Sequence, residues 1–291
     1  MSEAWNIRFG TAGTSDSFAA QGYKSSLDVP EYTAKMGLNA FEYQCGRGVN
    51  IGEEKARQLG ALAHEKGIVL SVHAPYYISL ASKEEAKRDN SIRYILESAR
   101  AVHAMGGERI VVHPGGLGGL SREQATELAG VTLKRALEQL DSEGLSMIRV
   151  CPETMGKINQ LGNLDEVLTL CSLDERMLPC IDFGHLNART HGGLDSAEAF
   201  GAVFGAVRDR LGESRMREFH VHFSKIAYTD GGEKMHLTFE DETYGPDYEP
   251  MLEWTARLGC SPVVICESAG TQAEDAAAMK KYYRSLVAAG E

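Results

Sequence analysis

The feature that most constrains this chain is an alternation. Eight short apolar, β-branched runs recur along it, each followed by a longer stretch with helical spacing. The runs are residues 5–10 (WNIRFG), 38–44 (LNAFEYQ), 68–73 (IVLSVH), 109–113 (RIVVH), 147–153 (MIRVCPE), 177–182 (MLPCID), 218–223 (EFHVHF) and 262–267 (PVVICE). Between them apolar residues return every three or four positions, as in Ala125, Leu128, Ala129, Thr132, Leu133, Ala136, Leu137 and Leu140, opened by a Ser121/Gln124 capping box. Strands that alternate with helices pair in parallel through right-handed crossovers, and closing such a sheet on itself removes both edges. The expected fold is α/β, a single (β/α)8 TIM barrel forming one domain over residues 1–291. Alternation alone also fits an open doubly wound sheet. Length favours the barrel, which takes about 250 residues.

Loops that follow the strands form the working face of a barrel, and two of them are long: residues 74–90 and 224–246. They are expected to grip a substrate. There is no internal repeat and no linker-like stretch, and the longest Gly-rich segment is only Gly115 to Gly119. The formal net charge of −11 argues against a broad basic surface for nucleic acid. Carboxylates that hold cations count toward that figure and are offset when the ions bind, so charge alone does not select the substrate. The six cysteines form no CxxC pair, and four lie in or beside β-branched runs where a thiol acts as a small buried hydrophobe. No apolar run approaches the length of a membrane span, and residues 1–6 lack the basic and apolar regions of a signal peptide. A reduced, soluble, cytoplasmic protein with no membrane partner is expected.

Histidines and acidic residues collect at the strand ends. His73 closes the third run, His113 the fourth, Glu153 the fifth, Asp182 the sixth and Glu267 the eighth, and His220 lies in the seventh. A single such residue is ordinary, as a hydrogen-bonded loop histidine or a helix cap. Six at one end of a barrel converge on one mouth, where polar side chains have no structural work in the core. Imidazole nitrogens mixed with carboxylate oxygens suit Zn²⁺ first and Mn²⁺ second, and more than four donors imply more than one ion. His185, three residues after Asp182, and His236 in the long loop add to the set. His222 points to the same side of its strand as His220, so either is the inner ligand. His64 and His103 in helical patterns and His191 in a loop read as structural or solvent-facing.

These strand ends resemble the endonuclease IV group of apurinic/apyrimidinic endonucleases, within the wider xylose-isomerase-like barrels. His73-Ala74-Pro75-Tyr76 resembles that family's HAPY segment and His113-Pro114-Gly115 its HPG segment. Glu153-Thr154-Met155-Gly156 with Leu161-Gly162 is similar to E-N-T-A-G…L-G, Ile181 to His185 to C-[IL]-D-T-x-H, and His220 to Lys225 to H-L-N-D-S-K, and Glu267 matches the closing glutamate. The resemblance implies one ion on His73, His113 and Glu153, a second on Glu153, Asp182, His220 and Glu267, and a third using His185 and His236. The family's third site reads D-x-H. Here Lys234 stands where the aspartate belongs, leaving Glu233 or Asp230 to take its place. The first strand also ends in Gly10-Thr11-Ala12-Gly13 without the family's histidine, and His222-Phe223 replaces an Asn-Asp pair.

The implied activity is hydrolysis of the phosphodiester 5′ to an abasic site by a monomer acting on damaged duplex DNA, leaving a 3′-hydroxyl. Glu153 would bridge two ions, and Glu267 would orient the attacking water and take its proton. Tyr76 and Tyr77 are suited to act as wedges in a bent duplex, and Arg47, Lys157 and Lys225 to meet phosphates. Arg189 reads as solvated surface. The competing readings are a sugar isomerase or epimerase using one divalent ion with Glu153 and Glu267 as acid and base, and a non-catalytic metal- or nucleic-acid-binding barrel. The histidines at 73 and 113 favour the nuclease over the first, and the complete carboxylate set disfavours the second.

Overall fold

The computed structural model describes residues 7–290, with side chains to 288, so residues 5 and 6 of the first expected strand lie outside the described residues. Eight strands make one parallel sheet: β1 (Arg8–Ala12), β2 (Ala40–Gln44), β3 (Val69–His73), β4 (Arg109–Val112), β5 (Arg149–Pro152), β6 (Cys180–Asp182), β7 (His220–Phe223) and β10 (Val263–Cys266). Their spatial order is β5-β4-β3-β2-β1-β10-β7-β6. The two ends of that order meet. Glu153 bridges Cys180 in parallel, the Thr154 N–H donates to the Cys180 carbonyl at 3.0 Å, and the Leu178 N–H to the Val150 carbonyl at 3.3 Å. That contact closes the ring and settles the choice between barrel and open sheet. Seven of the eight expected runs contain an observed strand, most of them beginning one to three residues later than the run, whereas β1 reaches two residues past its run to Ala12.

Apolar residues sort by strand parity. One large cluster, including Phe9, Phe41, Val72, Ile110, Val150, Ile181, Val221 and Val264, lies between the strands and the surrounding helices. Two small clusters fill the inside of the ring, Ala40 with Val263 and Ile265 on one side and Val111 with Cys151, Leu178 and Cys180 on the other. Successive residues of a strand point to opposite faces, so the inward set climbs by twos. On β2 it runs Ala40, Glu42, Gln44, on β3 Val69, Ser71, His73, and on β7 His220, His222. Strand registers place Asp182 beside His222 and Cys180 beside His220, one layer deeper. All six cysteines are buried free thiols, as expected of small hydrophobes.

The two long connections are more ordered than the sequence indicates. Residues 74–90 become a short loop, because the following helix (Glu85–Ala104) already begins inside that span. Within residues 224–246 the chain forms an antiparallel hairpin, β8 (Lys225–Thr229) with β9 (Gly232–Leu237), whose register slips between Ala227 and Tyr228. Among the described residues no helix is long and apolar enough to cross a membrane.

Candidate metal centre

Four histidines surround Glu153, which is fully buried at the end of β5. Its Oε2 lies 3.2 Å from His73 Nε2 and 3.0 Å from His113 Nε2, and its Oε1 lies 3.2 Å from both His185 Nδ1 and His222 Nδ1. One carboxylate thus faces two histidine pairs at once. Among the described residues five overlapping groups of potential ligand atoms lie within 4.8 Å, and three of them together take in the donors of the mouth: His73, His113 and Glu153; Glu153, Asp182, His222 and Glu267; and His185, Glu233 and His236.

Backbone and side-chain partners on the far side of each ring fix which nitrogen faces inward. His73 Nδ1 donates to the Ala74 carbonyl at 2.9 Å and His185 Nδ1 to the Thr154 carbonyl at 2.9 Å, which leaves Nε2 of each ring as the free lone pair. His236 Nδ1 is held by the Ser224 hydroxyl at 2.8 Å, which fixes the orientation of the ring. Asp182 does double duty. Its Oδ1 accepts from the His185 N–H at 2.7 Å and caps the short helix Phe183–Arg189, whereas its Oδ2 is buried without a hydrogen bond. An orphaned carboxylate oxygen beside imidazoles and a second carboxylate is the mark of a cation site. The donor set therefore fits divalent metal.

The charge pattern agrees. Burial pushes the Asp182 carboxyl up to about 6, with Glu267 and Glu153 adding to it against the pull of His185. Burial opposes the charged form of His73, but its hydrogen bond and proximity to Glu153 outweigh that and hold it near about 9. Glu153 itself is buried yet kept well below the ordinary carboxylate range by His113, His222 and His185. A cation at these groups needs deprotonated imidazoles and carboxylates, so metal binding there would release protons.

Of the two histidines in β7, His222 joins the carboxylates, with Nδ1 3.4 Å from Glu267 Oε1 as well as beside Glu153. His220 does not join them. Its place one layer down turns its Nε2 toward Glu42 Oε2 at 3.0 Å, and burial lowers its pKa to about 4 so that it sits neutral in the barrel interior. Strand parity put both side chains inward, but only the register with β6 decides which is level with Asp182.

Glu42 was missed from sequence, where it reads as one more polar residue in β2. It is fully buried, accepts from Ser71 Oγ at 2.9 Å, and lies 2.9 Å from His222 Nε2 in addition to its contact with His220. Burial alone would raise its pKa, yet His222 and His220 hold it well below the usual range. A charged residue at an inward parity position was the available signal.

The third group depends on the hairpin. In a regular strand, residues three apart point to opposite faces, so Glu233 and His236 should diverge. Tyr228 pairs with Glu233 and Ala227 with Met235, so Lys234 is an extra residue on β9. That bulge brings Glu233 to the face of His236, 3.4 Å from His185 Nε2, while Lys234 is exposed. Gly156 makes room for it: a Cβ there would stand 2.6 Å from Glu233 Cβ and 2.9 Å from His185 Cδ2. Gly156→Ala is therefore expected to push Glu233 aside and lower the metal content by one ion while sparing the other two groups. Elemental analysis of the purified variant checks this, and unchanged stoichiometry would count against the third group.

A cavity of about 420 Å³ opens over these groups, lined among others by His73, His113, His185, Glu233, His236 and Glu267, with Tyr76 and Lys157 at its rim. Tyr76 and Tyr77 are 49% and 51% exposed with rings 4.8 Å apart, and Arg47 Nε donates to the Tyr76 hydroxyl at 3.1 Å. Both rings are thus free to meet a ligand. Lys225 is not: its Nζ donates to the Asp241 carbonyl at 2.7 Å and pairs with Asp247 at 3.1 Å, so it anchors the loop after the hairpin and does not line the mouth. Arg189 is also structural. It is half-buried and donates to the carbonyls of Met155, Lys157, Ile158 and Gln160, tying down the loop after β5. Arg122 joins it there, paired with Glu166.

Known proteins share this arrangement at several levels. A D-tagatose 3-epimerase-like protein superposes with a TM-score of 0.73 at 19% identity, covering 98% of this chain and 99% of its own. Endonuclease IV from Thermus thermophilus does so with a TM-score of 0.65 at 18% identity, covering 96% and 98%. At these identities both speak for the fold. In sequence, a Methanocaldococcus jannaschii protein described as uncharacterized is 34% identical over 278 residues, 96% of this chain and 97% of its own. A probable endonuclease 4 of Acholeplasma laidlawii is 28% identical over 216 residues, 70% of each chain. The pattern of the xylose isomerase-like TIM barrels matches residues 30–286. The resemblance to endonuclease IV read from the strand ends holds, and the chain belongs to the xylose isomerase-like TIM barrel family.

Proposed function

We propose that the chain is a metal-dependent phosphodiesterase that cleaves DNA on the 5′ side of abasic sites, working as a one-domain, cytoplasmic monomer. The observation that carries this reading is Glu153 at the junction of two groups, one of them built on His73 and His113, with a third group adjoining at His185. One-ion sugar chemistry needs only the Glu153, Asp182, His222 and Glu267 group and leaves the other two without a purpose.

Nitrogen-rich donors favour zinc, with manganese the second choice. His73, His113 and Glu153 would hold one ion, Glu153, Asp182, His222 and Glu267 a second, and His185, Glu233 and His236 a third. When bound, such ions supply Lewis-acid neutralisation of phosphodiester charge and acidify water near neutral pH. Glu267, at the floor of the mouth and only slightly exposed, orients the attacking water and accepts its proton. Tyr76 and Tyr77 fill the space left by the flipped abasic nucleotide, with Arg47 bracing Tyr76, and Lys157 meets a backbone phosphate.

One observation favours an epimerase acting on a small sugar: the basic residues left at the mouth are few once Lys225 and Arg189 are committed elsewhere. The deciding experiment incubates metal-loaded protein with a duplex carrying one abasic site, with and without EDTA, beside a ketose epimerisation assay. Chelator-sensitive incision leaving a 3′-hydroxyl is expected. Epimerisation with an intact duplex would give the site to sugar chemistry.

A further inference from the structure

The barrel has a second cavity at the opposite end. About 680 Å³ opens where β1, β3, β4 and β10 begin, lined by Arg8, Arg57, His64, Glu108, Arg109 and Ser261 among others. Arg109 occupies the first inward position of β4, so its side chain enters the bottom of the ring. Its Nη1 is sealed from solvent with no hydrogen-bond partner, and among the described residues its guanidinium forms no ion pair. The neighbouring arginine at the same level, Arg149, is already paired with Glu218 at 3.1 Å, and Arg57 with Glu53. Arg8, like Arg109, has no side-chain partner among the described residues. Glu218 and Glu108 lie near enough to favour the Arg109 charge without forming an ion pair with it, and a guanidinium nitrogen sealed from solvent with no partner carries a cost that an anion in the cavity would offset.

We infer that this lower cavity binds a phosphate-type oxyanion between Arg109 and Arg8, with the Ser261 hydroxyl as a further donor. A guanidinium fork matches two oxygens of a tetrahedral anion, which a lone ammonium cannot do. Burial, with Arg149 adding to it, draws the Arg109 pKa down against the pull of Cys151, Glu218 and Glu108. The Glu108 carboxylate also lines the cavity and confines the anion to the arginine side. General attraction is no explanation, because the chain carries a net charge of −11. The cavity is large enough for a phosphate carried on a nucleoside as well as for the free ion.

Calorimetric titration of metal-loaded protein with inorganic phosphate, and separately with adenosine monophosphate, tests this. One ligand per chain is expected at the lower site, and it persists in Glu153→Ala after a chelator has removed the ion left on His185, Glu233 and His236. Arg109→Met and Arg8→Gln should each weaken it about tenfold or more, the value of a charge-assisted hydrogen bond. Tighter nucleotide binding would identify a phosphate ester as the ligand, and equal affinities the free ion. Arg109→Met should also raise the melting temperature in phosphate-free buffer and lose the rise that phosphate gives the wild type. Phosphate affinity unchanged in both arginine variants, or abolished by Glu153→Ala, would overturn the assignment.

Discussion

Glu153→Ala is expected to strip metal from two of the three groups and to slow incision of an abasic-site duplex by about a thousandfold or more. Several kcal/mol of charge stabilisation rest on such ions, and each tenfold in rate corresponds to about 1.4 kcal/mol. The size of the effect follows from geometry. Both carboxylate oxygens are used, Oε2 toward His73 and His113, Oε1 toward His185 and His222. The His185, Glu233 and His236 group does not require Glu153 as a donor, so one ion should remain by elemental analysis. Full metal content with full loss of incision would make Glu153 a reacting group only, and retained incision would refute the junction altogether.

The second large effect is expected at a residue that touches no substrate. Glu42→Ala removes the shared carboxylate beneath His222 and His220, leaving the Ser71 hydroxyl and His220 without it and taking from His222 the charge below its ring. Breaking a buried charged pair costs about 3–5 kcal/mol, and loss of the group that orients a ligating histidine weakens metal about 10–100-fold. His222 Nε2 lies 2.9 Å from Glu42 Oε1 and Nδ1 lies 3.4 Å from Glu267 Oε1, so the charge of Glu42 holds the ring with Nδ1 turned toward the upper carboxylates. The pH dependence has a definite sign. The folded pKa of Glu42 lies well below its unfolded value, so its contribution is complete above the ordinary carboxylate range and is lost as pH falls through the folded value. Urea denaturation of chelator-treated protein should therefore show a wild-type advantage that is full at neutral pH and closes only in strong acid. An advantage that does not vary with pH would point to packing alone.

Most of the barrel was legible because each strand is a short apolar run and closure follows from eight strand–helix units. The ligands at His73, His113, Glu153, Asp182 and Glu267 were legible because a strand end fixes a side chain's position almost as firmly as the strand itself. Residues whose placement depends on register were not. His220 and His222 share a face, and only the Asp182–His222 pairing tells them apart. Glu42 belongs to a strand that ends in no motif, and its partners come from β3 and β7, far away in sequence. Lys225 and Arg189 had the right charge near the mouth, but their reach is spent on Asp241, Asp247 and four loop carbonyls. Glu233 was named as a substitute for the missing aspartate, yet the reason it succeeds, one extra residue in β9, could not be read from letters.

That bulged hairpin lies outside the hydrogen-bonded ring, forming its own two-stranded sheet. The first two groups are welded to strands that the barrel cannot lose, whereas the third is carried on an appendage the barrel can. A descendant with a trimmed hairpin would keep its fold and its bridging glutamate and lose one site cleanly. Lineages on this scaffold can therefore gain or discard an ion by editing one short insertion, and tallying hairpins across such chains would sort them by chemistry where overall shape does not.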